Sequence, residues 1–337
     1  MKKILMIGTG GTIASELTAS GLSPELTSEQ ILEYIPSIKN FCEVGCVQIC
    51  NIDSTNILPQ HWLLMAKTIQ QNYWEYDGFV ICHGTDTMAY TAAALSYLVQ
   101  NSPKPIIITG SQKPINTENT DSKINLLDSF ICAASGSLNG VQIVFNGKVI
   151  LGTRARKTRT KSFQAFSSIN YPNLAVIQDG YLMQYIQEPT ATGPNFYENL
   201  NDRVTLLKLI PGMDADILSY MLQKNDAVII ESYGVGGIPS WSDRHFYDAI
   251  EKGIASGKTV VMTTQVPNEG SDLAIYNVGH ILKKNLKVLE AFDMTTEAVV
   301  SKLMWILGKT SDPKEIQRLF YTPVAHDILY INALGNL

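Results

Sequence analysis

Three short segments carry residue types that could act together on a carbonyl group. Gly8-Thr9-Gly10-Gly11-Thr12-Ile13 sets bare backbone N–H groups beside the hydroxyl of Thr12. Such a pairing can supply an oxyanion hole next to a nucleophile. His83-Gly84-Thr85-Asp86-Thr87 gathers a hydroxyl and a carboxylate in one turn, ahead of a helix expected near Met88. Helix N-termini hold unpaired N–H donors and favour anionic groups, although Asp86 or Thr87 could equally be a simple cap. Arg154-Ala155-Arg156-Lys157-Thr158-Arg159-Thr160-Lys161 places five cations in eight residues. Most of these side chains read as a solvated charged strand. A lysine crowded by other cations is more easily deprotonated, and a neutral lysine can take a proton from a hydroxyl. The sequence does not say which cation plays that part.

Other chemistries fit less well. A dinucleotide fingerprint would need glycine where Ile13 stands, and no Gly-Lys-Ser/Thr follows to make a Walker loop. There is no Gly-x-Ser-x-Gly elbow. Of the five histidines, only His83 lies on an expected active edge. Its expected role there is to position the loop by hydrogen bonds; His61, His245, His280 and His326 read as surface or satisfied residues. Cys42, Cys46 and Cys50 would share one face of a strand as small buried apolar groups rather than converge on a metal.

The elements that must position these segments follow a rhythm of strand, glycine-rich loop and helix. Short apolar runs at residues 3–7, 46–52, 78–82 and 105–108 each end in a turn rich in Gly, Ser, Thr or Asp. Helical spacing is expected at 60–71, 88–100 and 124–134, and the pattern points to a parallel sheet covered on both faces. Residues 141–145 and 148–152, joined by Asn146-Gly147, predict a β-hairpin. Strands are then expected at 204–210, 227–232, 259–263 and 288–291, with helices at 215–223, 244–255 and 296–307. The expected class is α/β. It comprises a larger N-terminal three-layer, mostly parallel domain (1–185), a polar linker (186–203) and a smaller flavodoxin-like domain (204–337). Ligands of such sheets sit outside the carboxyl ends of the strands, so every loop named above points at one edge.

The bulk numbers agree with a globular protein. The chain has 337 residues, 45% hydrophobic and 17% charged, enough for two domains. A net charge of −5 gives no general attraction to nucleic acid or an anionic membrane. No apolar run approaches the roughly 18 residues needed to span a bilayer. The apolar start stops at Gly8, which reads as a first strand rather than a signal peptide, hence an expected cytoplasmic location.

Taken together, these segments resemble the bacterial-type L-asparaginase family, in its cytoplasmic type I branch. The matching pieces are Thr9-Gly10-Gly11-Thr12-Ile13, Asp53-Ser54-Thr55, His83 to Thr91, Thr109-Gly110-Ser111-Gln112, Arg154 to Thr158, Phe163-Gln164-Ala165-Phe166 and Ser232 to Gly236. They run in family order across nearly the whole chain. The resemblance implies that Thr12 is a nucleophile that forms an acyl-enzyme. It implies that Thr85, Lys157 and Asp86 form a second constellation that handles a proton and assists water. Asp86 would also hold the substrate α-ammonium, Ser54 and Thr55 would receive its α-carboxylate, and the N–H groups of Gly11 and Thr85 would face the oxyanion. It also implies a homodimer or homotetramer. The chemistry needs neither a metal nor an organic cofactor.

Two departures stand out. Many relatives carry a tyrosine in the loop after Thr12; residues 14–30 contain none, and Leu22 stands near that place. Thr18, Ser20, Ser23 and Tyr34 remain as hydroxyls that could substitute. Some relatives also use an asparagine from the neighbouring subunit where this chain has Gly237. Residues 15–26 are expected to form a lid that orders over substrate.

Three rival readings accompany the asparaginase one. A glutaminase-asparaginase differs by one substrate methylene, worth only about 1–3 kcal/mol in a pocket. An archaeal-type tRNA amidotransferase subunit contains the same core but normally has an extra N-terminal domain, whereas the first strand is expected here at residue 3. A non-catalytic amino-acid-binding protein would leave Thr12, Thr85 and Lys157 idle.

Overall fold

A computed structural model describes residues 1–18, 21–187, 189, 193–239, 245–275 and 286–329. The chain divides into two compact units, Met1–Glu198 and Asn199–Leu337.

The first unit begins with β1 (Lys2–Gly10) and a tight turn over Thr12–Ala14. A hairpin follows, β2 (Ser15–Thr18) and β3 (Gly21–Pro24), then α1 (Ser28–Glu33) and β4 (Cys42–Ile52). Next come α2 (Pro59–Asn72), β5 (Gly78–Cys82), α3 (Met88–Leu98), β6 (Val99–Gln100), β7 (Pro105–Thr109) and α4 (Ser122–Ala134). The unit is completed by β8 (Gly140–Phe145), β9 (Lys148–Leu151), β10 (Ala155–Lys157), β11 (Phe166–Ser168), β12 (Ala175–Gln178), β13 (Tyr181–Gln184) and β14 (Asn195–Phe196). Its main sheet has eight strands in the order β13-β12-β9-β8-β7-β5-β1-β4. The run from β8 to β4 is parallel, and β9, β12 and β13 extend it antiparallel.

Local chemistry accounts for this order. Gly78–Cys82 and Pro105–Thr109 are buried along their whole length, as strands covered on both faces must be. The helix over Met88–Leu98 is nearly all Ala, Leu and other buried residues, and it fills one of those faces. The predicted hairpin is present: Asn146 (φ 50°) and Gly147 (φ 69°) are both left-handed, which a type I′ turn requires. α1, not anticipated from the sequence, starts with a capping box between Thr27 and Gln30. The segment after Thr12 is a paired hairpin at its two strands, with Ser15 opposite Pro24 and Glu16 opposite Ser23.

The division between units falls within 186–203. Asn195 and Phe196 pair antiparallel with Gln100 and Val99, so this part of the segment read as a linker is built into the first unit. The second unit contains β15 (Val204–Lys208), α5 (Ala215–Lys224), β16 (Ala227–Ser232), α6 (Phe246–Ala255), β17 (Thr259–Thr264), β18 (Leu289–Glu290), α7 (Thr296–Leu307) and α8 (Pro313–Tyr321). Its four strands form a parallel sheet in sequence order. The helix expected from residue 244 begins at Phe246, and Arg244 lies outside the described residues. A core of Leu218, Val228, Ile230, Ile250 and Met262 packs one face of this sheet. The chain is thus α/β, with a large mostly parallel sheet in one unit and a separate four-stranded parallel sheet in the other. Among the described residues no helix is long and apolar enough to cross a membrane.

Candidate active site

The carboxyl ends of β1, β4, β5 and β7 bring the expected segments of the first unit together. β1 ends at Gly10, whose backbone (φ 99°) and that of Gly11 (φ 80°) are left-handed, a conformation that glycine reaches without strain. Gly11 N–H donates to Ile52 O at 3.0 Å, tying the turn to the end of β4. A side chain on Gly11 would meet Gly84, with an ideal Cβ only 2.4 Å from the Gly84 Cα. One on Gly84 would meet Ser54, 2.7 Å from its Oγ. The Gly11 and Gly84 turns therefore touch backbone to backbone, the Ser54 side chain packs against Gly84, and glycine is what lets all three meet. Thr12, half-buried, follows Gly11 directly, and among the described residues its side chain makes no hydrogen bond.

Ser54 and Thr55 lie in the short turn after β4. Asp53 accepts hydrogen bonds from the Thr55 N–H and hydroxyl, both at 2.8 Å. Ser54 is buried and links this turn to the next: the Asp86 N–H donates to Ser54 Oγ at 3.2 Å, and the Thr87 hydroxyl donates to Ser54 O at 2.7 Å.

Thr85 and Asp86 occupy the turn between β5 and α3, and Lys157 reaches them from β10. Lys157 Nζ donates to Thr85 Oγ1 at 2.8 Å and to Asp86 Oδ1 at 2.6 Å. The Lys157 side chain is mostly covered, at 16% exposure, whereas that of Asp86 is 57% exposed. The carboxylate therefore keeps a solvent-facing side on which a cation could be received. Of the five cations in the basic run, geometry picks Lys157 for this constellation. Pairing of Lys157 with Phe166 across β10 and β11 fixes its place. The rest of the run is not uniformly solvated, as the sequence suggested. Arg154 is fully buried, its guanidinium 5.8 Å from the Tyr171 ring centre, while Arg159 lies at the surface and donates to Gln164 O.

His83 is completely buried and positions the Thr85 turn, as expected. Trp62 Nε1 can only donate, and it donates to Thr91 Oγ1 at 2.9 Å. The Thr91 proton is then free for His83 Nε2, also at 2.9 Å, which leaves His83 Nδ1 as the donor to Gly84 O at 2.7 Å. With the Gly84 carbonyl held this way, the Thr85 N–H of the same trans peptide points to the opposite side. Burial is the main cause that pushes the His83 pKa down to about 4, so the ring is neutral.

Three further residues support the site: Gln112, named from the sequence only as part of the Thr109–Gln112 match and given no role, and Asp121 and Asn125, which the sequence did not single out. Gln112, after β7, accepts from Thr85 Oγ1 at 3.3 Å and donates to Ser162 O at 3.1 Å. Asp121 precedes α4 as a helix cap would. Its carboxylate instead accepts the Gln112 N–H at 3.0 Å and the Lys113 N–H at 3.2 Å, with no cap bond to its own helix. Burial raises the Asp121 pKa, and these N–H donors counter the rise. Asn125 donates to Gly110 O and to Asp121, and accepts from Asn146 N–H. Nothing in the sequence pattern revealed that Asp121 turns toward Gln112.

The three cysteines of β4 behave as packed thiols. Burial pushes Cys42 and Cys46 up to about 11 and raises Cys50 as well. Tyr34, one candidate for the missing loop tyrosine, lies 5.7 Å from the Lys123 ammonium by its ring centre. Ser20 lies outside the described residues, as does the side chain of Thr18.

Comparison with known proteins bears on both units. Residues 3–190 match the family Asparaginase, N-terminal, and residues 203–320 match the Glutaminase/Asparaginase C-terminal domain. The L-asparaginase of Thermococcus kodakarensis is 38% identical over 331 residues, which cover 97% of this chain and 99% of that protein. The thermostable L-asparaginase structure from the same organism superposes with a TM-score of 0.91 at 37% identity, covering 97% and 99% of the two chains. A glutamyl-tRNA(Gln) amidotransferase subunit of Metallosphaera sedula is 31% identical over 341 residues, covering 95% of this chain and 75% of that protein. A Campylobacter jejuni structure described as "Probable Cytoplasmic L-asparaginase" gives a TM-score of 0.82 at 27% identity, covering 95% and 99%.

Proposed function

This chain belongs to the asparaginase family, and we propose that it hydrolyses L-asparagine to L-aspartate and ammonia with Thr12 as nucleophile. The observation that carries the reading is the contact of Lys157 with both Thr85 and Asp86, set beside the Gly11–Gly84 junction that carries Thr12.

The Thr12 oxygen attacks the side-chain carbonyl carbon, the C–N bond breaks, and the hydroxyl proton leaves on the departing nitrogen as ammonia. Oxyanion stabilisation comes from the N–H of Thr85; the Gly11 N–H, expected from the resemblance to share this role, is instead spent on Ile52 O at 3.0 Å. Water then adds to the ester carbon, assisted by Thr85 and Lys157, and the released Thr12 oxygen recovers a proton. Asp86, anionic and partly exposed, receives the α-ammonium, and the Ser54–Thr55 turn receives the α-carboxylate. Using separate hydroxyls for acylation and hydrolysis matches the two-threonine arrangement.

The test is ammonia release from L-asparagine and L-glutamine by the wild type, Thr12→Ala and Thr85→Val. Faster release from asparagine, abolished in both variants, is the expected result. Loss in only one variant reassigns the other hydroxyl, and a folded wild type inactive on both amides overturns the reading. The tRNA amidotransferase relative is the rival: this chain spans 75% of its length, and turnover of free asparagine decides against that role. A non-catalytic binding protein would keep its ligand affinity and lose nothing else in Thr12→Ala. We further propose a cytoplasmic location and self-association as a homodimer or homotetramer, checked by fractionation and by light scattering.

A further inference from the structure

We propose that Gln112 is a positioning residue for the hydrolytic half of the reaction, because its amide fixes the direction of the Thr85 hydroxyl. The proposal rests on the asparaginase reading and extends it to a residue outside the inherited constellation. A hydroxyl has one proton and two lone pairs. The Thr85 proton is directed at Gln112 Oε1, 3.3 Å away, and one lone pair accepts from Lys157 Nζ at 2.8 Å. The second lone pair is thereby left for a water.

The amide is itself fixed. Gln112 Nε2 donates to the Ser162 carbonyl at 3.1 Å, so a flipped amide would set two carbonyl oxygens against each other. The Gln112 N–H is held by both oxygens of Asp121 at 3.0 Å, and Asn125 Nδ2 donates to the same carboxylate at 3.1 Å. A rigid path therefore runs from α4 through Gln112 to the hydroxyl. Thr85 cannot take its direction from Lys157 alone, since an ammonium accepts no proton. The ionisable groups hydrogen-bonded along this path are Lys157 on β10, which also holds Asp86 on the turn of Thr85, and Asp121 at the start of α4.

Two variants test this. Gln112→Leu removes the acceptor; Gln112→Glu keeps an acceptor and adds a negative charge near Lys157. In Gln112→Leu, kcat for asparagine falls about 10- to 100-fold without a rise in KM, and a burst of ammonia appears as the acyl-enzyme accumulates. In Gln112→Glu, the added negative charge moves the titration of Lys157 Nζ, followed by its nitrogen chemical shift, to higher pH than in the wild type. A folded Gln112→Leu protein with wild-type kcat and no burst overturns the proposal, as does a Gln112→Glu protein whose Lys157 titration superposes on the wild type. The titration needs no turnover. A wild type inactive on asparagine whose Lys157 titration still moves in Gln112→Glu would remove the asparaginase reading and leave the Gln112 linkage standing.

Discussion

Gly11 and Gly84 touch through their backbones: a Cβ placed on Gly11 would lie 2.4 Å from both the Cα and the N of Gly84. These residues immediately precede Thr12 and Thr85, so the contact sets the spacing of the two threonines. Gly11→Ala is expected to push the turns apart and also to strain a left-handed backbone position (φ 80°). The expected outcome is loss of nearly all amide hydrolysis together with about 2–4 kcal/mol of stability. Urea unfolding and an ammonia assay on the same preparation measure both. A variant that keeps wild-type activity would show that the junction tolerates a methyl group and does not set the threonine spacing.

The buried imidazole of His83 makes stability depend on acidity. Its folded pKa, about 4, lies below the 6.5 of the unfolded chain, so between these values the unfolded state binds more protons. Stability is therefore highest above pH 6.5 and declines as pH falls toward 4, by up to about 3 kcal/mol from this group. Urea midpoints recorded across that window should fall less steeply in His83→Asn, which keeps a donor for Gly84 O but cannot titrate. Parallel slopes for the two proteins would assign the acid sensitivity elsewhere.

In the second unit, Lys302 and Asp327 form an ion pair at 2.7 Å with both side chains fully buried. Burial lowers the Lys302 pKa, and the Asp327 carboxylate opposes that shift. Removing one partner strands the other: Asp327→Asn or Lys302→Met is expected to cost about 3–5 kcal/mol, whereas the double replacement Lys302→Met with Asp327→Leu costs less than the sum. A double-mutant cycle by chemical unfolding checks this. Strict additivity would mean that the two groups do not stabilise each other.

The strands of the hairpin after Thr12 are anchored at their base. Asn116 Nδ2 donates to Glu16 at 3.5 Å, and Asn51 Nδ2 donates to Pro24 O at 3.1 Å. If this hairpin is the lid expected from the sequence, aspartate should protect residues 15–24 from proteolysis. Equal cleavage with and without aspartate would remove the lid from the mechanism.

Much of the fold was legible because it depends on short-range pattern. The runs Gly78–Cys82 and Ala227–Ser232 and the helix Thr296–Leu307 have the bounds that their apolar spacing predicted. The hairpin at Asn146-Gly147 followed from turn chemistry alone. The pieces that escaped notice are short and weakly patterned. β10 and β11 have three residues each, and α1 has six, too few to display a period.

The sequence by itself determined which atoms were available: the glycines that let turns meet, two threonines following them, and a run of five cations, two of them lysines. It also determined the order of strands and helices, since burial period and turn chemistry are local properties of the chain. Only the tertiary structure decided which of these atoms meet. Lys157 reaches Thr85 across a separation of 72 residues because β10 pairs with β11 and so fixes its side chain. Arg154, three positions away, goes into the interior instead. Gln112 and Asp121 join the site through bonds that no local spacing encodes. The physical reason is one of range: backbone dihedrals and hydrophobic period act over a few neighbours. Hydrogen bonds between distant turns form only when the packed sheet has brought its carboxyl edge together.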